Sequence, residues 1–248
     1  MDQRFAQLRL GRRAFAASAG VLLGRFASLM GGAPAAETAQ AAQCPAIFVP
    51  AYFDDDAAWR QMTETRAVRI VIINLKNGPG PQRSAVAAQR VRDVQASGAL
   101  ALGYVPTSRG KRPAKQVRAE IRKFRQWYAV DGIYVDEVSG KSNYLKYYRA
   151  LSKTIRKGPA GKRFVMFNPG FTPDRRYMAL ADVIENYEYF FHYYPKQVFP
   201  PWVRQYPATR FAHVVHDVPS TSDALEWVLA NARANNAGYV FVTDRNNP

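Results

Sequence analysis

The chain has 248 residues, 48% of them hydrophobic, and it carries 35 Lys plus Arg against 19 Asp plus Glu, a net charge of +16. This length is enough for one large domain with a substantial core. The one cysteine, Cys44, excludes an internal disulfide, a cysteine-based zinc site and a dithiol redox pair. The three histidines, His192, His213 and His216, do not form a HExxH-type metal motif. We therefore expect no metal and no other cofactor.

Residues 1–43 have the pattern of an export signal rather than of a folded segment. Paired arginines, Arg12 and Arg13, precede a short apolar stretch and an Ala-rich run, as in a bacterial twin-arginine signal. The apolar stretch is too short for a transmembrane anchor, and Arg25 interrupts it. We expect export to the periplasm or the exterior, no stable membrane span, and a mature domain over residues 44–248.

Removing this leader takes away five arginines and two acids and leaves a net charge of +13. Such a surface favours polyanions, and nucleic acid is one interpretation of it. The basic residues, however, are spread through predicted helices, with Arg90, Lys115 and Arg122 as examples, and no DNA-binding motif accompanies them. Solvated helix faces explain most of the charge, so we expect no nucleic-acid partner and a monomeric domain.

Eight short apolar runs, mostly rich in β-branched or aromatic residues, predict strands. In chain order they are residues 46–53, 69–75, 99–106, 131–137, 163–170, 182–188, 210–218 and 237–244. Helical spacing of apolar residues predicts helices between some of these strands. These helices fall within residues 83–98, 113–130, 142–158 and 221–238, whereas the connections at 171–181 and 189–209 are less regular.

Eight strands with a helix or a crossover segment between each imply parallel pairing and right-handed connections. The pattern predicts the α/β class and a single domain, a closed (β/α)8 TIM barrel. A doubly wound open sheet is the alternative, and it would normally carry a Gly-rich phosphate loop after an early strand. The sequence NGPGP at 77–81 lacks the GxGxxG spacing, so we interpret it as a turn.

The active site of such a barrel lies at the carboxyl ends of its strands. Nearly every predicted strand ends in a hydrogen-bonding group, in the order Tyr52, Asn74, Tyr104, Asp136 with Glu137, Asn168, Glu188, His216 with Asp217, and Thr243 with Asp244. A ring of this kind predicts a polar site that contains several carboxylates. Because consecutive strand residues point to opposite sides, Asp136 and Glu137 cannot both point into a regular barrel.

Seven motifs occur in the order and spacing of spherulation-specific family 4, which the chain resembles over roughly residues 45–245. They are IFVPAYF…W, VIINLKNGPG, ALGYVPTSRGKR, DGIYVDE, FNPG, ADVIENYE and AGYVFVTD. The resemblance implies a TIM-barrel glycoside hydrolase of the endo-α-1,4-N-acetylgalactosaminidase type. It also implies that Asp136, Glu137 and Glu188 are the catalytic acids, although Glu185 lies close in sequence. Departures from the family pattern at INLKNGPG and TSRG affect substrate choice more than reaction type.

Glycosidic cleavage needs one carboxylic acid to protonate the leaving oxygen and a second carboxylate as nucleophile, base or charge stabiliser. We expect Glu137 or Glu188 as the general acid and Asp136 as the nucleophile or stabiliser, with a 2-acetamido carbonyl of the substrate as the other candidate nucleophile. Aromatic faces hold sugar rings through their C–H surfaces, and the aromatic sequence YEYFFHYYP at 187–195 is expected to line part of a cleft. The expected substrate-binding residues are Tyr52, Asn74, Tyr104, Asn168, Tyr187, His216 and Asp244.

The expected function is endo-acting hydrolysis of an exported, hexosamine-rich, galactosamine-containing polysaccharide, such as a biofilm polymer. A non-catalytic carbohydrate-binding or envelope-assembly protein on the same barrel is the alternative from another class. Such a degenerate protein would be expected to lack at least one of the three acids. Metal binding by these acids is a further alternative. A phosphodiesterase-type barrel is disfavoured, because the first three strands offer no His and Asp metal ligands.

Overall fold

The computed structural model describes residues 44–161 and 163–245, in which eight parallel strands close into a barrel in sequence order. The strands are β1 (Ala46–Ala51), β2 (Val68–Ile73), β3 (Leu100–Pro106), β4 (Gly132–Asp136), β5 (Phe164–Phe167), β6 (Val183–Phe190), β7 (Phe211–His216) and β8 (Tyr239–Val242). The α-helices are α1 (Asp56–Glu64), α2 (Ala85–Ala96), α3 (Ala114–Tyr128), α4 (Leu145–Arg156) and α5 (Ser222–Ala234). The expected (β/α)8 barrel is confirmed, whereas the expected leader, residues 1–43, lies outside the described residues.

Helix α3 shows how the sequence builds the outer layer. Its buried side chains, Val117, Ile121, Phe124 and Tyr128, recur at helical spacing and form one apolar stripe. This stripe packs on β3, where Gly103 allows a close approach, since a Cβ atom there would lie 2.4 Å from the ring of Phe124. A larger side chain at this position would push α3 away from the barrel.

Helix α1 is a feature that the sequence analysis missed. The helix has only nine residues and begins after Asp55, whose side chain accepts a 2.8 Å hydrogen bond from the backbone N of Ala58. Only a few of its side chains are buried, Trp59 and Met62 among them, so the apolar period is too short to stand out. After β5 and β6 the connections carry 3-10 helices, in agreement with the irregularity expected there: Arg175–Ala179, Phe191–Lys196, Pro201–Gln205 and Ala208–Arg210.

The inside of the barrel is apolar at the level of the strand centres and polar at the carboxyl ends. The central cluster contains Phe48, Ile70, Ile72, Leu102, Met166, Val183, Ala212 and Val214, with Tyr104 and Tyr134 above them. A larger apolar cluster lies between the strands and the helices. The packed interior leaves the carboxyl-end mouth as the place where polar side chains gather. No helix in the described part of the chain is long and apolar enough to cross a membrane.

Candidate active site

Asp136 ends β4 with its side chain inside the barrel, and two donors hold both of its carboxylate oxygens. The hydroxyl of Tyr104 donates to Oδ2 at 2.6 Å, and Nδ2 of Asn168 donates to Oδ1 at 2.9 Å. Burial raises the pKa of Asp136 to about 6, while the hydrogen bonds from Tyr104 and from the backbone N–H of Glu137 oppose that rise. The carboxyl therefore changes charge within the working range of an enzyme.

Glu188 reaches the same interior from β6 because that strand contains a β-bulge. The pairing of β6 with β7 shifts register between Glu185 and Tyr187, so Asn186 is an extra residue. Strict alternation from Glu185 would turn the side chain of Glu188 away from the barrel axis. With the bulge, Glu188 accepts a 2.7 Å hydrogen bond from Nδ2 of Asn168 and lies 3.8 Å from Nε2 of His216.

Asn168, at the end of β5, fixes the separation of the two carboxylates. Its Nδ2 atom donates to Asp136 at 2.9 Å and to Glu188 at 2.7 Å, so the two acceptor oxygens lie within about 5.6 Å of each other, the sum of these distances. Glycosidases that retain anomeric configuration place their carboxyl groups about 5–5.5 Å apart, and inverting ones about 6.5–9.5 Å apart. The pair Asp136 and Glu188 therefore has the closer geometry.

Glu137 points away from Asp136, toward the loop after β3. It is exposed, and the backbone N of Ser108 donates a 2.7 Å hydrogen bond to its Oε2 atom. Its carbonyl oxygen accepts from the backbone N of Arg109 at 2.8 Å. Glu137, Ser108 and Arg109 all have left-handed backbones, with φ of 52°, 48° and 54°. Such conformations cost of order 1–3 kcal/mol each and occur often at functional sites, so this corner holds the β3 and β4 ends in a fixed shape.

Glu185 is a site feature to which the sequence analysis assigned no role. Its side chain is fully buried inside the barrel, and the hydroxyl of Tyr134 donates a 2.9 Å hydrogen bond to its Oε2 atom. Burial, followed by the negative charges of Glu188 and Asp136, raises the pKa of Glu185 well above its usual value. Burial therefore favours the neutral form of the Glu185 carboxyl, which lies beneath Asp136 and Glu188.

Tyr52 and Asn74 lie on the β1–β2 side of the mouth. The ring of Tyr52 packs edge-on against Tyr104 with centroids 5.8 Å apart, which places it beside the donor to Asp136. The Oδ1 atom of Asn74 accepts a 3.1 Å hydrogen bond from the backbone N of Gly78 and shapes the turn after β2. Both side chains line a cavity of about 690 Å³ that extends toward α1 and α2.

Tyr187 and Asp244 do not join the other residues that were expected to bind substrate. The bulge turns Tyr187 to the outer face of β6, where its side chain is buried outside the barrel. Its hydroxyl donates a 2.9 Å hydrogen bond to the carbonyl oxygen of Phe190. Asp244 is exposed, and its Oδ2 atom accepts a 3.2 Å hydrogen bond from the hydroxyl of Ser220. The structure therefore gives both side chains local partners outside the mouth.

His213 and His216 lie on opposite faces of β7, as their three-residue spacing predicts. His213 is buried outside the barrel against Tyr194, whereas His216 faces Glu188. Among the described residues, no group of three or more His, Cys, Asp or Glu side chains has an arrangement that would hold a metal ion. Three buried polar atoms near the carboxylates have no protein partner and are free for a ligand or water: Oδ1 of Asn168, Oε1 of Glu185 and Nδ1 of His216.

The arrangement can perform acid–base and nucleophilic chemistry on one bond. A donor-held carboxylate, Asp136, faces a second carboxylate, Glu188, across a single amide donor. One oxygen of Glu188 is not used by that amide, and about a quarter of its side chain is exposed, at 28%, so it can reach a bound ligand.

Comparison with known proteins gives results at the levels of family and fold. The model of spherulation-specific family 4 matches residues 46–248. Spherulin-4 from Physarum polycephalum is 29% identical over 227 residues, which are 84% of this chain and 65% of that protein, so the chain spans less than two thirds of this relative. The crystal structure of Aspergillus clavatus Sph3 in complex with GalNAc aligns with a TM-score of 0.68 at 25% identity, covering 81% of this chain and 89% of that one.

Proposed function

Because the chain belongs to spherulation-specific family 4, we propose that it is a glycoside hydrolase that cleaves an exported, hexosamine-rich, galactosamine-containing polysaccharide within its chain. The observation that carries this proposal is the carboxylate pair Asp136 and Glu188, joined by the amide of Asn168 at the barrel mouth. The similarity to Sph3, whose crystal structure holds GalNAc, supports a galactosamine-type sugar.

In the proposed mechanism, Asp136 attacks the anomeric carbon while Glu188 gives its proton to the leaving oxygen. Asp136 suits the first role because donors fix both of its oxygens and it is ionised above a pKa of about 6. Water then attacks the glycosyl–enzyme intermediate, and Glu188 takes the proton of that water. If the sugar carries a 2-acetamido group trans to the leaving oxygen, as in a β linkage, its carbonyl oxygen replaces Asp136 as nucleophile and Asp136 orients it. Glu137 is the second candidate for the acid.

The charge of the protein favours one form of the substrate. Residues 44–248 carry a net charge of +13. A highly deacetylated hexosamine polymer is cationic, so it would be repelled by this surface. We therefore propose an acetylated or mixed-charge polymer as the substrate.

The test is the release of oligosaccharides from a panel of purified polysaccharides, followed by mass spectrometry. The parent protein is expected to release internal fragments from an N-acetylated galactosamine polymer. Asp136→Asn and Glu188→Gln should fold normally and lose at least about a hundredfold in turnover. The matched control is Glu226→Gln, the same chemical change on the exposed face of α5, which should leave turnover unaltered. Binding of the polymer without any cleavage would favour the non-catalytic carbohydrate-binding protein.

We also propose that the protein is exported through the twin-arginine route. The support is the sequence pattern of paired arginines, Arg12 and Arg13, before a short apolar stretch. N-terminal sequencing of the exported protein should give a start within residues 33–44. A mature product that begins at Met1, or an export level unchanged by Arg12→Lys with Arg13→Lys, would contradict the proposal.

A further inference from the structure

The exposed aromatic side chains of the barrel are concentrated at one side of the mouth. Three aromatic rings in the described residues are more than two fifths exposed: Phe171 at 43%, Tyr189 at 48% and Tyr193 at 44%. Phe171 follows β5, Tyr189 is the next-to-last residue of β6, and Tyr193 follows β6. Exposed apolar groups gathered in one place, rather than scattered singly, mark interaction sites.

Four of the rings after Glu188 form a continuous series of contacts, which we call the aromatic row: Phe190, His192, Tyr193 and Tyr189. Phe190 meets the ring of His216 edge-on at 6.3 Å and stacks on His192 at 5.9 Å. Tyr193 contacts His192 at 4.0 Å and Tyr189 at 5.0 Å, and Tyr189 in turn meets Phe190 edge-on at 5.0 Å, so the four rings close into one group. Since His216 lies 3.8 Å from Glu188, the row begins beside the carboxylates.

Exposure increases along the aromatic row. His216, at the inner end, is 5% exposed, Phe190 is intermediate, and His192, Tyr193 and Tyr189 are exposed. Rings that served only to fill the core would be buried throughout. The rings instead lead outward from the reaction centre to the rim.

We propose that the aromatic row is a binding strip for sugar residues of the polymer that lie beyond the cleavage point. This proposal rests on the proposed function, because it assigns the strip to the same polysaccharide. Pyranose rings carry an apolar C–H face, and covering an exposed aromatic ring with that face removes apolar surface from water. A strip of this kind lets an enzyme hold the middle of a chain, which fits endo-acting cleavage.

The chemistry of the row indicates which sugars it accepts. None of its four members is acidic, and the residue that follows the segment 189–195 is a lysine, Lys196. A protonated amino sugar would therefore gain no ion pair from these four side chains. N-acetylated units, which are neutral and carry an additional methyl group, are therefore the ligand class that fits this strip.

The size of the exposed patch argues against a second copy of the chain as its occupant. A large aromatic side chain buries about 150–250 Å² when fully covered, so the two half-exposed tyrosine rings of the row, Tyr189 and Tyr193, offer roughly 200 Å². A stable interface between proteins buries about 800 Å² on each partner. The patch is thus too small for a stable dimer and large enough for one or two sugar rings.

The experiment compares the parent with a double variant that carries both Tyr189→Ala and Tyr193→Ala. Both proteins are tested on two substrates. One is the N-acetylated galactosamine polymer, and the other is the shortest oligosaccharide that the parent cleaves. The affinity for the polymer, measured by affinity electrophoresis in a Glu188→Gln background, should fall by about tenfold or more. Turnover of the short oligosaccharide should stay within about twofold, because it does not reach the strip.

Two controls separate ring stacking from a general surface effect. Tyr189→Phe with Tyr193→Phe keeps both aromatic faces and should keep the polymer affinity. Val198→Ala removes an exposed apolar side chain, 83% exposed, that is not aromatic, and should change nothing. Unchanged polymer affinity in the double alanine variant overturns the strip. The strip is also overturned if the parent sediments as a dimer and the double alanine variant sediments as a monomer, because the rings would then form a protein interface.

The outcomes distinguish this inference from the proposed function. If the parent cleaves the polymer but the double alanine variant binds it with normal affinity, the proposed hydrolase function is supported and the proposed binding strip is contradicted. If the double alanine variant loses polymer affinity as expected but the parent does not cleave the polymer, the binding strip is supported and the hydrolase function is contradicted.

Discussion

The hydroxyl of Tyr104 donates a 2.6 Å hydrogen bond to Oδ2 of Asp136, the shorter of the two side-chain hydrogen bonds that fix this carboxylate. Burial raises the pKa of Asp136 to about 6, and the hydrogen bond from Tyr104 acts in the opposite direction because it favours the ionised form. The hydrogen bond from Tyr104 therefore affects both the position and the charge state of Asp136, the proposed nucleophile.

The first prediction concerns the acidic limb of the pH profile. If Asp136 must be ionised to react, kcat/KM should fall as the pH drops below about 6. Tyr104→Phe removes a hydrogen bond that lowers the pKa, so the pKa should rise and the limb should move to higher pH. Tyr147→Phe is the control, since that hydroxyl donates to the backbone oxygen of Arg112 on the outer side of the barrel. If the acidic limb of the kcat/KM profile has the same midpoint pH in Tyr104→Phe as in the parent, a group other than Asp136 controls that limb.

A second prediction follows for stability. The usual pKa of an aspartate is 3.8, and that of Asp136 is about 6 in the folded protein, so the folded state holds more protons between these values. The free energy of unfolding is therefore reduced as the pH rises through this window. Asp136→Asn cannot ionise, and at pH 7.5 it should be more stable than the parent by up to about 3 kcal/mol.

The measurement is thermal unfolding followed by circular dichroism at pH 7.5 and at pH 4. The stabilisation by Asp136→Asn should shrink at pH 4, where the parent carboxyl is protonated in the folded state. Asp244→Asn, at an exposed position, is the matched control and should show no such pH dependence. An Asp136→Asn protein that is less stable than the parent at pH 7.5 would contradict the raised pKa.

The third prediction concerns Glu185 and its donor, Tyr134. Burial raises the pKa of Glu185 well above 4.5, so the stability contributed by its neutral form is present below pH 4.5 and is lost as the pH rises through the folded-state pKa. Glu185→Gln keeps the shape without the ionisation, so it should stay active and become more stable than the parent at alkaline pH. Tyr134→Phe leaves Oε2 of Glu185 without a donor and should cost about 1–3 kcal/mol.

Denaturant unfolding at pH 6 and pH 9, together with turnover on the polymer, tests this role. Glu226→Gln on α5 again serves as the control for the amide substitution itself. A folded but inactive Glu185→Gln protein would place Glu185 among the reacting groups, a role that we do not assign to it.

The barrel was predictable because each strand is short, apolar and followed by a polar residue, so the eight strand ends could be aligned without the structure. The opposite directions of Asp136 and Glu137 were predictable for the same reason, since consecutive strand residues alternate. The structure places Asp136 inside and Glu137 against the backbone of Ser108. Local periodicity is thus sufficient wherever the strand is regular.

In β6, the directions of the side chains could not be predicted from alternation. Alternation from Val183 and Glu185 would point Tyr187 inward and Glu188 outward, and the single extra residue, Asn186, reverses both directions. The bulge is fixed by pairing with β7, a contact distant in sequence, so nothing in the sequence nearby indicates it. Regular alternation therefore cannot place the carboxyls of Glu185 and Glu188 on the same inner face, where the structure has both, or Tyr187 on the outer face.

The fourth prediction separates the acid from the nucleophile. A substrate with an activated aryl leaving group needs no proton, so the variant that lacks the general acid should recover on it. We expect Glu188→Gln to recover to within about tenfold of the parent on an activated aryl oligosaccharide, while Asp136→Asn stays at least about a hundredfold slower. Recovery of Glu137→Gln instead of Glu188→Gln would assign the acid to Glu137.

The final prediction is the stereochemical outcome. The acceptor oxygens of Asp136 and Glu188 lie within about 5.6 Å of each other, because the amide of Asn168 donates to both. That separation leaves no room for a water molecule between the sugar and the second carboxylate, so displacement by the enzyme and then by water should retain the configuration of the cleaved bond, which is α in the polymer that the family resemblance implies. Proton NMR during the first minutes of cleavage should show the α-anomer before mutarotation. Cleavage, with retention, of a substrate deacetylated at the reacting sugar would assign the nucleophile to Asp136. Initial formation of the β-anomer would contradict the close pair and require a wider separation during the reaction.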